Sequence, residues 1–199
     1  MKKLIEDFLN YELPKLINSD SIYNEFSLQH EIGIYLRANM PDYKVQFERN
    51  ATYFGINDTV KHEIDIAVFK EKDKGERYAI ELKYPKNGQY PEQMYQFIKD
   101  IKFMEEVKDA GFAETYCITL VDDPKFYSNN KGYKTEGIYQ YFRVGSSGTI
   151  NLPSTTISKP TGVTGATSSI KLNVAHAVKW ERLTGYMSNS NYRYYFCVI

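Results

Sequence analysis

HEIDIAVF (residues 62–69) and, after a short link, YAIELKYP (78–85) are the stretch on which the fold turns. Both segments alternate. Ile64, Ile66 and Val68 face one way in an extended chain, and Glu63, Asp65 and Ala67 face the other. In the second segment Tyr78, Ile80, Leu82 and Tyr84 share one side, while Ala79, Glu81 and Lys83 share the opposite one. The link EKDKGE is turn-like. If the two segments pair as a hairpin, an odd loop centred on Asp73 sets Asp65 opposite Glu81. A three-residue loop ending at Gly75 sets Asp65 opposite Lys83. Either register gathers Asp65, Glu81 and Lys83 on one face within a diagonal step. An even loop mixes the apolar and polar faces and is rejected.

Working outward, residues 2–18 read as an amphipathic helix that Pro14 kinks or ends. A second helix is expected from about Ser21 to Asn39, with Ile22, Phe26, Ile32 and Leu36 at helical spacing and Pro41 as its stop. Tyr43–Arg49 alternates as a strand. Pro91 opens a strong helix to about Lys108, with Met94, Phe97, Ile98, Ile101 and Met104 on its buried face and Gly111 just beyond its end. Thr115–Val121 reads as a buried strand, and a shorter helix is expected around Glu136–Phe142. Residues 145–170 are Ser, Thr, Gly and Pro with few large apolar groups. They read either as a moving functional loop or as weakly patterned edge strands. Two apolar, aromatic runs follow, around 171–183 and 192–199, separated by the turn-rich GYMSNSN.

Two carboxylates and a lysine on one sheet face have a chemical use. Hard oxygen donors suit Mg²⁺, which keeps several waters and takes phosphate oxygens as well. Such an ion acidifies a bound water and screens charge on a phosphate in flight. The lysine can orient or deprotonate that water, or stabilise the developing charge, and nearby carboxylates favour its charged form. A lone Glu-x-Lys in a strand is more commonly a surface salt bridge of little energetic weight. Here Asp65 sits mid-strand among apolar residues, where Asp is disfavoured, and YAIELKYP is apolar enough to be a central strand.

The order helix, three strands, helix, strand over about 21–121, with Asp65 followed by Glu81 and Lys83, resembles the PD-(D/E)xK nuclease superfamily, the restriction-endonuclease-like fold. Ile64 stands where the motif has its proline. The resemblance implies an α/β fold with a mixed central β-sheet flanked by helices. It also implies hydrolysis of phosphodiester bonds with Mg²⁺ or Mn²⁺, by a DNA endonuclease of restriction, defence or mobile-element type. Asp65 and Glu81 would hold the metal and Lys83 would serve the water. Glu31, on the preceding helix, would complete the shell, with Glu25 as the weaker alternative. Gln93 or Gln96 would match a glutamine that many members carry, and Lys86 and Lys99 would touch phosphate. A duplex cutter of this kind often works as a homodimer. One domain over 1–199 is expected, with its core about 21–142 and with 143–199 supplying the polar loop and extra C-terminal strands.

Composition leaves this open. Lys plus Arg and Asp plus Glu number 25 each, so no global basic charge announces nucleic acid, although a local patch is compatible with neutrality. The 18 Tyr and 11 Phe could stack bases but more often pack with the phenol at a core's edge. Cys117 and Cys197 form no CxxC pair and read as reduced thiols of a cytoplasmic protein, with no zinc cluster or disulfide framework. His30, His62 and His176 are not spaced as metal ligands. GVTGATSS lacks the Gly-Lys-Ser/Thr of a phosphate loop. No signal peptide is read at the N-terminus, and no run approaches ~18 apolar residues, so no membrane partner is expected. The rival readings are a nuclease-like module that grips nucleic acid or a protein without cutting, a nuclease for RNA or branched DNA, and a structural protein whose acids are salt-bridged.

Overall fold

Apolar residues on both sides of 62–69 and 78–85 require cover on both faces of the sheet they build. A computed structural model describes residues 1–70, 76–160, 168–183 and 191–199. Strands β1 (Lys44–Asn50), β2 (Glu63–Phe69), β3 (Arg77–Lys83), β4 (Glu114–Val121), β10 (Arg193–Val198) and β9 (Glu181–Arg182) lie side by side in that order. β3 and β4 are parallel, and the other neighbours are antiparallel. The molecule is therefore α/β with a mixed six-stranded sheet flanked by helices. Pairs Ile66↔Ile80 through Phe69↔Arg77 give the register that an odd loop centred on Asp73 predicts, although residues 71–75 lie outside the described ones.

One face carries Ile66, Val68, Ile80 and Leu82 against helices α1 (Lys2–Asp7), α2 (Leu13–Asn18) and α3 (Glu25–Asn39). α1 and α2 are joined by one π-helical turn, Phe8–Glu12. Pro14 neither ends nor breaks this stretch, because the wider turn ahead of it absorbs the missing N–H. Ile5, Phe8, Leu9, Leu13 and Ile17 are all buried, so residues 1–18 belong to the core, which is wider than the expected 21–142. α3 begins at Glu25, later than the expected Ser21. The Ser27 N–H donates to Asn24 Oδ1 (2.8 Å) and the Asn24 N–H to Ser27 Oγ (3.0 Å), a reciprocal cap that fixes the start. Its buried stripe is Leu28, Ile32 and Leu36, whereas Phe26 is 72% exposed.

The other face packs on helix α4 (Tyr90–Asp109), through Phe97, Ile98, Ile101 and Met104. Ala67 and Ala79, directly opposed in β2 and β3, offer this helix a low surface. The same core continues beneath two small sheets, β5 (Thr149–Leu152) with β8 (His176–Lys179), and β6 (Thr156–Ser158) with β7 (Ser169–Lys171). Ile150, Leu152, Ile157, Ile170 and Trp180 are buried there, so the described part of 145–170 takes the edge-strand alternative. The expected helix near 136–142 is one turn, α5 (Tyr139–Phe142). Most of GYMSNSN and of GVTGATSS lies outside the described residues.

Candidate active site

Ladder pairing between β2 and β3 stops at Ile66↔Ile80, and beyond it side chains take over. The Leu82 N–H donates to Asp65 Oδ2 (2.7 Å) and the Asp65 N–H to Glu81 Oε1 (3.1 Å). From α3, the Gln29 amide donates to the Asp65 carbonyl (2.7 Å) and to Glu48 Oε1 (2.6 Å). The two strands separate just where their acids stand, and the Asp65 N–H and C=O and the Leu82 N–H freed there each find a side-chain partner. Asp65 is thereby held in one orientation before any ligand arrives.

Glu81 is 1% exposed. The Lys61 ammonium, on the irregular segment before β2, donates to Glu81 Oε2 and to Asp100 Oδ1 (2.9 Å). Asp100 stands mid-α4, 2% exposed, and its Oδ2 is buried with no hydrogen-bond partner. Lys83 Nζ lies 3.8 Å from that same Oδ2. It donates to Glu25 Oε1 (3.0 Å) and to the Leu82 carbonyl (2.9 Å), while Glu25 Oε2 accepts the Tyr84 N–H (3.0 Å). Four carboxylates thus converge with two ammonium groups.

The electrostatics follow from burial and from that crowding. Burial raises the Asp65 carboxyl to about 6 although Lys61 and Lys83 pull it down. Burial, then Asp65, raises Glu81 well above the usual carboxylate range. For Lys61 burial disfavours the charge, but Asp100 and Glu81 outweigh it and the ammonium is held more firmly than in water. Lys83 is raised likewise, by Asp100 and Asp65 against burial. A lysine so disposed is a charge donor and a poor proton acceptor.

The structure brings Asp65, Glu81 and Lys83 together, and it puts Glu25 beside them. Glu31 instead faces His30, with Oε1 3.6 Å from Nδ1. Six residues, nearly two turns of helix, separate the two glutamates, and the late start of α3 aims Glu25 at Lys83. The Gln93 amide donates to Asn87 Oδ1 (3.3 Å) and the Gln96 amide to Glu92 Oε1 (3.2 Å), both within their own helix and its lead-in. Lys86, just past the C-terminal end of β3, pairs with Asp122 Oδ2 (2.5 Å). Lys99 lines an open cleft of ≈ 760 Å³ together with Asp65, Glu48, Lys61, His62 and Glu63. His62 precedes β2, so it shares the cleft with Asp65; strand alternation would have turned it away.

Lys61 and Asp100 escaped the sequence reading. Asp100 carried a signal, a charge set among Phe97, Ile101 and Met104 on a buried helical face. Lys61 carried none. A second polar cluster joins residues far apart in the chain: His176 Nε2 lies 2.8 Å from Glu105 Oε1, and Cys197 Sγ 3.9 Å from His176 Nδ1. Burial and Glu105 push the Cys197 thiol up to about 12, the reverse of what a nucleophile needs. Glu105 also accepts the N–H groups of Asn173 (2.8 Å) and Val174 (3.2 Å), so the cluster ties down a turn.

The donors around Asp65 suit a hard divalent cation, being carboxylate oxygens of which Asp100 Oδ2 is buried without a partner. Among the described residues no three His, Cys, Asp or Glu side chains already form a metal cage. Lys61 stands between two of the acids instead. Protein-family profiles, characterised proteins and solved structures give no match to this chain. No helix among the described residues is long and apolar enough to cross a membrane.

Proposed function

We propose that this protein is a metal-dependent nuclease with a restriction-endonuclease-like fold, hydrolysing phosphodiester bonds in DNA as an endonuclease. What carries the reading is the convergence of Asp65, Glu81 and Lys83 where β2 and β3 part, with Asp65 opening on the cleft. Asp65 and Glu81 would hold Mg²⁺ or Mn²⁺. The ion, when bound, supplies an acidified water and a positive charge against the phosphate. Lys83, kept charged by its carboxylate neighbours, orients the water and stabilises charge on the phosphate oxygens. Glu25, the weaker alternative to Glu31 for completing the metal shell, positions Lys83. Lys99 lines the cleft where a phosphate would lie. Tyr23 and Phe26, 62% and 72% exposed on either side of Glu25, offer flat faces to unpaired bases.

A second reading is a nuclease-like module that binds nucleic acid without cutting. It is favoured by Lys61, which already pairs with both Glu81 and Asp100. Incubation of plasmid and single-stranded DNA with and without Mg²⁺ or Mn²⁺ separates the two. Metal-dependent nicking should disappear in Asp65→Ala and Lys83→Ala, and fall further in Glu25→Gln than in Glu31→Gln. Binding without cleavage in every protein would establish the second reading.

A further inference from the structure

Lys61 is an unusual neighbour for two buried acids. Its side chain is 20% exposed, while those of Glu81 and Asp100 are 0% and 3% exposed. Burying an ion pair is costly, and a pair so placed is weak evidence of stabilisation. Asp100 is not fully served by it: Oδ1 takes the Lys61 ammonium, and Oδ2 is buried with no hydrogen-bond partner. A buried carboxylate oxygen without a donor is expensive, and such an atom in a native protein calls for an explanation. The Lys61 backbone lies outside the sheet, in the irregular stretch between residues 56 and 62, and Lys61 itself lines the cleft. The ammonium can therefore swing into the cleft without breaking a ladder hydrogen bond.

We propose that Lys61 is an internal cation seated in the divalent-metal position of the site in the metal-free protein, and that Asp100 is a third carboxylate of that site. Metal entry displaces the Lys61 ammonium and supplies Asp100 Oδ2 with its missing partner. The proposal rests on the nuclease reading for its biological use. Charge explains the exchange: Glu81 and Asp100 share the Lys61 ammonium, Lys83 Nζ stands off at 3.8 Å from Asp100 Oδ2, and a doubly charged ion binds several oxygens at once. It also accounts for the lack of a ready-made cage among the described residues, since the ammonium holds Glu81 and Asp100 around itself.

The test has two arms. In the wild-type protein, lysine acetylation by a water-soluble reagent is followed by mass spectrometry with and without saturating Mg²⁺. Lys61 should become several-fold more reactive when Mg²⁺ binds. Lys83, held by Glu25 and the Leu82 carbonyl, should stay protected. In the second arm, Mn²⁺ affinity is measured by calorimetry on Lys61→Met and Asp100→Asn, purified with Mn²⁺ and then stripped. Lys61→Met should bind roughly tenfold tighter and Asp100→Asn roughly tenfold weaker than wild type. Bound Mg²⁺ with unchanged Lys61 reactivity, affinity unchanged or weakened in Lys61→Met, or absence of any metal binding would each overturn the proposal. Metal binding with Lys61 released but DNA intact would uphold it and sink the nuclease reading alone.

Discussion

Asp65 shows how a single side chain can be set against the fold that holds it. Its carboxyl keeps a proton up to about 6 in the folded chain, against a reference of 3.8. Between those values the folded state binds more protons than the unfolded one, so stability falls as pH rises through the window. Above about 6 the buried charge is a standing cost. In chelator, urea unfolding of the wild type should weaken from pH 4 to pH 7. Asp65→Asn, whose amide oxygen can still accept the Leu82 N–H, should flatten that dependence. At pH 7 the variant should be more stable by on the order of 2 kcal/mol. An unchanged slope in the variant would show that Asp65 is charged throughout. Residues of this kind were legible because Asp within an apolar strand is a local contradiction. Lys61 was not, because its meaning lies wholly in Glu81 and Asp100, 20 and 39 positions away.

At the scale of elements, α3 delivers Glu25 to Lys83 and Gln29 to the Asp65 carbonyl, so its seat on the sheet sets the site. That seat is close. A Cβ added at Gly33 would collide with the Phe47 ring in β1, a ring that also lies under the Arg37 guanidinium at 4.9 Å. Gly33→Ala should therefore cost about 1–3 kcal/mol by overpacking, although alanine is the better helix former. Chemical denaturation measures this directly, and a stabilised variant would mean that Phe47 yields easily. The sequence marked α4 and β1 to β4 well, since their periodicities are strong. It missed the start of α3, because the Asn24–Ser27 cap outweighs apolar spacing upstream of it.

Across the whole molecule, β10 is the element that closes the core. It lies against β4 in the principal sheet and seats Tyr195 between α4 and Trp180, with ring centroids 5.3 Å from Trp180 and 6.3 Å from Phe97. Tyr195→Ala should cost about 3 kcal/mol or more, as large-to-small changes at fully buried aromatic sites do. It should lower the cooperativity with which the two small sheets melt. Loss of near-ultraviolet circular dichroism at a single reduced temperature would instead show one cooperative unit.

The sequence by itself determined the faces of Ile66, Val68, Ile80 and Leu82, the hairpin parity and the meeting of Asp65, Glu81 and Lys83. Each follows from a period of two in the chain and from keeping apolar residues together. It did not determine the place of Ile64, which packs with Ala67 and Ala79 where β1 skips a pairing at Glu48. Only the tertiary structure decided that Glu25 stands at Lys83 while Glu31 does not. It alone decided that Asp100 and Lys61 enter the cluster, and that the C-terminal strand joins the main sheet. Those facts depend on where separate elements dock, and docking is set by packing among residues with no shared periodicity to announce it.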